Sequence, residues 1–230
     1  MSPSDFPSGA EDFSGRAALF PLPNLTLFPN VVLPLHVFEP RYRCMVEDVL
    51  KTDKYVALAL LKDGHEDRYH DKDCPIHSTV CLSRIIADEQ LNDGRYYLLT
   101  QGLRRARITR EVQTDLPYRI GQLELLPDVY PSMPVIDRER RQLELINGFR
   151  MMFPKLNIDE TLLDSLGDGV PLGELCDVIA HAMRLNPGDA QRLLEQSDVD
   201  QRSDLVLELL KLQCRPAMAP RPFPPEFSIN

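Results

Sequence analysis

Prolines crowd one stretch of the chain, LFPLPNLTLFPNVVLPLHVFEPRY (residues 19–42), at Pro21, Pro23, Pro29, Pro34 and Pro40. Proline lacks a backbone N–H, fixes its own φ and pushes the preceding residue toward extended geometry, so no long helix can run through here. The apolar runs between the prolines, residues 25–28, 31–35 and 37–38, read as short buried strands with tight corners. Asn24 and Asn30 suit the turns. Pro40 fits the first turn of a helix, Glu39 stands beside that positive helix end, and Tyr42, Met45, Val46 and Val49 follow at helical spacing.

Residues 55–61 (YVALALL) form a near-continuous apolar run, the pattern of a strand covered on both faces. The segment 62–74 is polar and rich in Asp and His, hence a loop. Residues 79–86, 96–100, 104–109 and 118–126 read as further strands, with turns at 92–94 and at Gln101-Gly102. In the last of them Ile120, Gln122 and Glu124 alternate with Leu123 and Leu125. A proline-rich linker, PDVYPSMP (residues 127–134), ends the strand pattern, and the period becomes helical. Leu143, Ile146, Phe149 and Phe153 share one stripe, as do Leu172, Leu175, Val178, Ile179, Ala182 and Met183. Asn186-Pro187 is a helix start, and residues 198–201 form a capping box ahead of Leu205, Leu209 and Leu212. Strands first and helices second make the chain α+β: a leader (1–16), a β-rich unit (17–128), a helical unit (135–213) and a proline-rich tail (214–230).

The stretch PLPNLTLFPNVVLPLHVFEPRY resembles the opening signature of the Lon N-terminal domain, the substrate-recognition module of ATP-dependent Lon proteases, which also occurs free-standing in bacteria. IHSTVCLSRI, LNDGRYYLLTQGLRRARI and PYRIGQLELLPD resemble its second block, and PLGELCDVIAHAMRLNPGDAQRLLEQSDVDQRSDLVLELL its helical part. Ser78 stands where glycine is common and Cys176 where alanine is; both are small. The resemblance implies a PUA-like β-pseudobarrel with one short helix, followed by a helical bundle. It also implies a module without cofactor or metal that binds unfolded or tagged polypeptides, with a protease or chaperone as candidate partner.

Bulk properties narrow the function independently. The 230 residues carry no G-x-x-x-x-G-K-[ST] and no G-x-S-x-G, so neither an ATPase nor a hydrolase is expected. A net charge of −9 disfavours nonspecific binding to nucleic acid or membrane. No apolar run approaches the roughly 20 residues that span a bilayer, and residues 1–15 lack the apolar core of a signal peptide. Five scattered cysteines, Cys44, Cys74, Cys81, Cys176 and Cys214, suit the reducing cytoplasm better than a disulfide framework.

Several clusters have both a chemical and a plain structural reading. His65, His70, Cys74, His77 and Cys81 are metal-ligating types, but their spacing fits no standard zinc pattern; a polar loop, with Cys81 in a strand, is the expectation. Arg104, Arg105, Arg107 and Arg110, with Arg95 and Arg119 nearby, could hold RNA phosphates or another small ligand; alternation instead places Arg105 and Arg107 on one solvated sheet face, opposite Ala106 and Ile108. Glu39, Arg41 and Tyr42 are expected to fix the helix start, and His36 and His181 to face outward. Met133, Met151, Met152, Met183 and Met218 are dispersed, and Phe223 and Phe227 sit in the tail, free to dock back or meet a partner. No catalytic, cofactor or metal residue is assigned. A recognition module needs an apolar groove or an open strand edge, and pattern alone does not name its residues.

Overall fold

The computed structural model describes residues 9–152 and 169–213. Six strands are present: β1 (Arg16–Leu22), β2 (Val32–Val37), β3 (Tyr55–Leu60), β4 (Thr79–Gln90), β5 (Tyr96–Val112) and β6 (Arg119–Leu126). Helix α1 (Pro40–Val49) joins β2 to β3. The remaining helices are α2 (Arg138–Met152), α3 (Leu172–Ala182), α4 (Pro187–Glu195) and α5 (Val199–Gln213).

The strands form one mixed sheet in the order β2-β5-β4-β3-β1-β6, and β6 pairs again with β5. Strands β1, β3, β4, β5 and β6 thus close into a ring, and β2 hangs on the first half of β5. β1 and β3 run parallel; the other pairs are antiparallel. One apolar cluster draws on all five ring strands and no helix, and small residues such as Ala17, Ala57, Ala59 and Ala106 let the ring close around it. The second cluster lies outside the ring, beneath α1 and the later helices. β3 is buried along its whole length because it faces both clusters.

The proline-rich stretch resolves differently from its pattern. The first strand lies earlier, at β1, and contains Pro21; residues 25–28 are irregular, though Leu27 and Phe28 are buried. Residues 32–37 make one strand that carries Pro34 inside it, which an edge strand tolerates. The Gln101-Gly102 turn is absent, because β5 continues through it, with only a shift of register against β4 between Gly102 and Arg104. A Cβ on Gly102 would fall 2.1 Å from the Phe28 carbonyl oxygen. The Gly102 N–H donates to Val31 at 2.8 Å and its carbonyl accepts from Asn30 at 2.9 Å, so this glycine admits a crossing loop instead of reversing the chain. Phe13, read as leader, packs edge-on against Tyr55.

α1 is as the spacing predicts, with Tyr42, Met45, Val46 and Val49 buried. In α2 and α5 the apolar faces rotate, while α3 keeps most of its expected stripe. α2 buries Leu145 and Ile146 and exposes Leu143; Phe153 lies outside the described residues. α3 buries Leu172, Leu175 and Ile179, with Cys176 and Asp177 beside them. Asn186 caps α4 by accepting from the Asp189 N–H. Asp198 accepts from the Gln201 N–H at 3.0 Å, but the returning bond to the Asp198 N–H comes from Gln196, not Gln201. α5 buries Val199, Arg202, Ser203, Val206 and Leu210 and exposes Leu212. The linker is tied down, since Val129 bridges to Asp198 at the start of α5.

Candidate functional site

The outer face of β2, β5 and β4 departs from the usual strand pattern of apolar inside and polar outside. On β2 the inward residues Leu33, Leu35 and Val37 are apolar, yet Val32 and Pro34 on the opposite side are apolar too and stand exposed. Register aligns them in rows. Pro34 pairs with Leu99 and Leu99 with Ala87; His36 pairs with Tyr97 and Tyr97 with Glu89. Phe38, just past β2, continues the face. Phe38 is 58% exposed, Tyr97 50% and Leu99 41%. The His36 and Tyr97 rings stack at 4.8 Å, and Phe38 lies 5.9 Å from His36. A groove of about 470 Å³ on this face is lined by Pro34, His36, Ala87, Glu89, Tyr97 and Leu99, among others. Contiguous exposed rings and aliphatic groups on a sheet mark a surface that gains by being covered.

β2 is also an open edge, with no strand on its far side among the described residues. Pro34 supplies no N–H there, so main-chain pairing along this edge is interrupted and side-chain contact on the face dominates.

The arginine cluster of β5 is divided. Arg105 and Arg107 do share a face, but only Arg107 is solvated; it lies 3.9 Å from Glu124. Arg105 is 2% exposed, because α3 and α4 cover the ring at this point. It donates to both carboxylate oxygens of Asp177, at 2.9 and 2.5 Å, and to the Leu194 carbonyl at 3.0 Å. Arg202 is fully buried and donates to both oxygens of Asp128, with Asp177 3.7 Å away. Burial works against the Arg202 charge, yet Asp177 and Asp128 hold its pKa above the ordinary value. Arg104 and Arg110 remain exposed. A cleft of about 450 Å³ opens over this network, rimmed by Arg104, Tyr130 and Glu174; burial pushes the Glu174 carboxyl up.

The histidine and cysteine residues of the loop disperse. His70 faces Glu39 at 3.7 Å and His77 faces Glu195 at 3.3 Å. Cys74 is buried with its thiol toward the His65 carbonyl, and Cys81 is buried in the core, where desolvation pushes its thiol well up. Among the described residues no group of three or more His, Cys, Asp or Glu is placed to hold a metal ion.

Glu39 is the N-cap residue of α1, its carbonyl accepting from the Tyr42 and Arg43 N–H groups, but its side chain makes no capping bond. Its carboxylate accepts from the Tyr69 hydroxyl and from Arg41, whose other donors reach the Tyr69 and His70 carbonyls at 2.8 and 3.1 Å. This cluster clamps the loop before β4 onto the helix start. Tyr42, lifted to about 12 by burial, donates to the Pro21 carbonyl and pins the helix to β1. His36 is exposed as expected, while His181 is half-buried. Met133 and Met151 are exposed and Met183 buried; Met218, Phe223 and Phe227 lie outside the described residues. No helix among the described residues is long and apolar enough to cross a membrane.

The family described as the ATP-dependent protease La (LON) substrate-binding domain matches residues 16–212, and the chain belongs to it. Among curated relatives, Lon protease of Escherichia coli strain K12 is 31% identical over 199 residues, covering 84% of this chain and 24% of that protein. Lon protease of Buchnera aphidicola is 27% identical, covering 86% of this chain and 25% of its own length. The chain therefore spans about a quarter of the curated relatives it matches. In fold it is similar to the Lon N-terminal domain protein from Xanthomonas campestris, at a TM-score of 0.61 and 24% identity over 84% of this chain and 97% of that one. It is also similar to the N-terminal domain of Mycobacterium avium complex Lon protease, at 0.65 and 15% over 85% and 98%. The fold is that of Lon N-terminal domains.

Proposed function

We propose that this chain is a non-enzymatic recognition module that holds exposed apolar segments of unfolded or tagged polypeptides on the β2–β5–β4 face. The supporting observation is the group of exposed, mostly apolar side chains His36, Phe38, Tyr97 and Leu99 gathered on one face of the sheet. Covering such a face contributes about 25 cal/mol per Å² of apolar surface, which favours chains whose own apolar residues are exposed. The substrate-binding role of the family points the same way. The module acts in the cytoplasm and delivers its cargo to a separate protease or chaperone. On this reading the five-strand ring is a PUA-like pseudobarrel, and α2, α3 and α5 are the helical bundle packed beside it.

Fluorescence anisotropy tests the reading. A labelled, permanently unfolded polypeptide is titrated with the protein without nucleotide, and the folded form of the same polypeptide is the control. Micromolar binding of the unfolded form alone, with the polypeptide recovered intact, is expected. Equal binding of both forms, or cleavage of the polypeptide, contradicts it.

A further inference from the structure

We propose that the row His36, Tyr97, Glu89 is a slot for a cationic side chain, so that this face selects extended segments in which arginine or lysine stands among apolar residues. The inference rests on the reading of the face as a polypeptide-binding surface and adds the chemistry of its ligand. The three residues are cross-strand neighbours on β2, β5 and β4, and adjacent strands lie about 4.8 Å apart. The His36 and Tyr97 rings are 4.8 Å apart and inclined by 27°. Rings stacked across neighbouring strands turn their faces along the direction between strands, so the second face of Tyr97 looks toward Glu89. A guanidinium or ammonium entering there meets a π face on one side and a carboxylate on the other, two attractions that reinforce each other.

Nearby charges are already engaged. Lys54 lies 3.6 Å from Asp88, Arg95 lies 2.6 Å from Asp93, and Arg84 sits over the Tyr55 ring at 5.4 Å. Glu89 is exposed and makes no ion pair or side-chain hydrogen bond among the described residues. The next row, Pro34, Leu99 and Ala87, is two residues further along β2 and β5. That step matches the side-chain repeat of an extended peptide lying along the strands. The ligand is accordingly a segment with a cation and an apolar side chain two residues apart. The net charge of −9 adds long-range attraction for such segments and repels anionic ones.

The test uses three unstructured peptides of equal length and apolar content, carrying arginine, glutamine or glutamate at the same positions, titrated against the whole protein by anisotropy. The arginine peptide is expected to bind about tenfold more tightly than the glutamine one, and the glutamate peptide most weakly. Glu89→Gln and Tyr97→Leu are each expected to bring the arginine-to-glutamine ratio near one. Equal affinity of the three peptides, or a ratio untouched by both substitutions, overturns the slot while leaving apolar recognition standing. Failure of all three peptides to bind overturns both. Sedimentation of the protein alone provides a separate check: a dimer dissolved by Tyr97→Leu would assign the face to a second copy and overturn the proposal.

Discussion

Gly102 lies where a loop crosses a strand, and a methyl group there would fall 2.1 Å from a backbone oxygen that has no easy way to move. Gly102→Ala is therefore expected to destabilise the fold by about 1–3 kcal/mol, the usual range for overpacking, seen as a lower urea midpoint with an unchanged slope. In the sequence this glycine reads as a turn, because glycine marks a chain reversal and a close backbone approach with the same letter. His181 makes a second residue-scale prediction. Burial, and then Arg184, lowers its pKa in the folded protein. As pH falls below the unfolded value of about 6.5, the unfolded chain takes up the proton first, so the folded state loses stability. Unfolding midpoints measured from pH 7 to 5 are expected to fall less steeply in His181→Gln than in the wild type. An identical slope would remove His181 from the acid response.

At the scale of elements, β2 shows what a single chain can and cannot disclose. That residues 31–38 would be extended was legible from the prolines and the apolar run. That one side of the strand would stay uncovered was not, since VVLPLHVF is apolar on both sides and apolar runs ordinarily signal burial on both. The legible trace of the site was Pro34 itself, because proline inside a strand points to an edge. It also protects that edge. Pro34→Val restores an outward N–H beside exposed Val32 and Phe38, and is expected to turn the protein toward self-association. Sedimentation at increasing concentration reads this out, and an unchanged monomer fraction would show the edge to be guarded by something else. Helix faces were legible only in part. α1 and α3 follow their apolar spacing, whereas α5 turns polar Arg202 and Ser203 inward because Asp128 and the α2 residue Arg141 wait for them there.

Over the whole molecule, the ring and the helices are joined by a balanced set of charges, buried Arg105 with buried Asp177 and buried Arg202 with partly exposed Asp128. Alternation along β5 put Arg105 on the outer face correctly, but nothing near it in sequence reveals that a helix 72 residues away covers that face. Removing one partner leaves an uncompensated charge, so Asp177→Ala is expected to cost about 3–5 kcal/mol, while Arg105→Met with Asp177→Leu recovers most of the loss. Urea unfolding of the single and double variants measures this, and a double variant no better than the single would deny the coupling.

The central claim is that recognition resides on the β2–β5–β4 face. The most direct measurement is the affinity of an unfolded, labelled polypeptide for the wild type and for Phe38→Ser with Tyr97→Ser, both shown by urea unfolding to be equally stable. Substitution of exposed residues typically shifts stability by no more than about 0.5 kcal/mol, so loss of fold should not obscure the comparison. Binding weakened by at least about tenfold, or about 1.4 kcal/mol, at unchanged stability is the predicted result. Wild-type affinity in the double variant would contradict the account and place recognition elsewhere on the molecule.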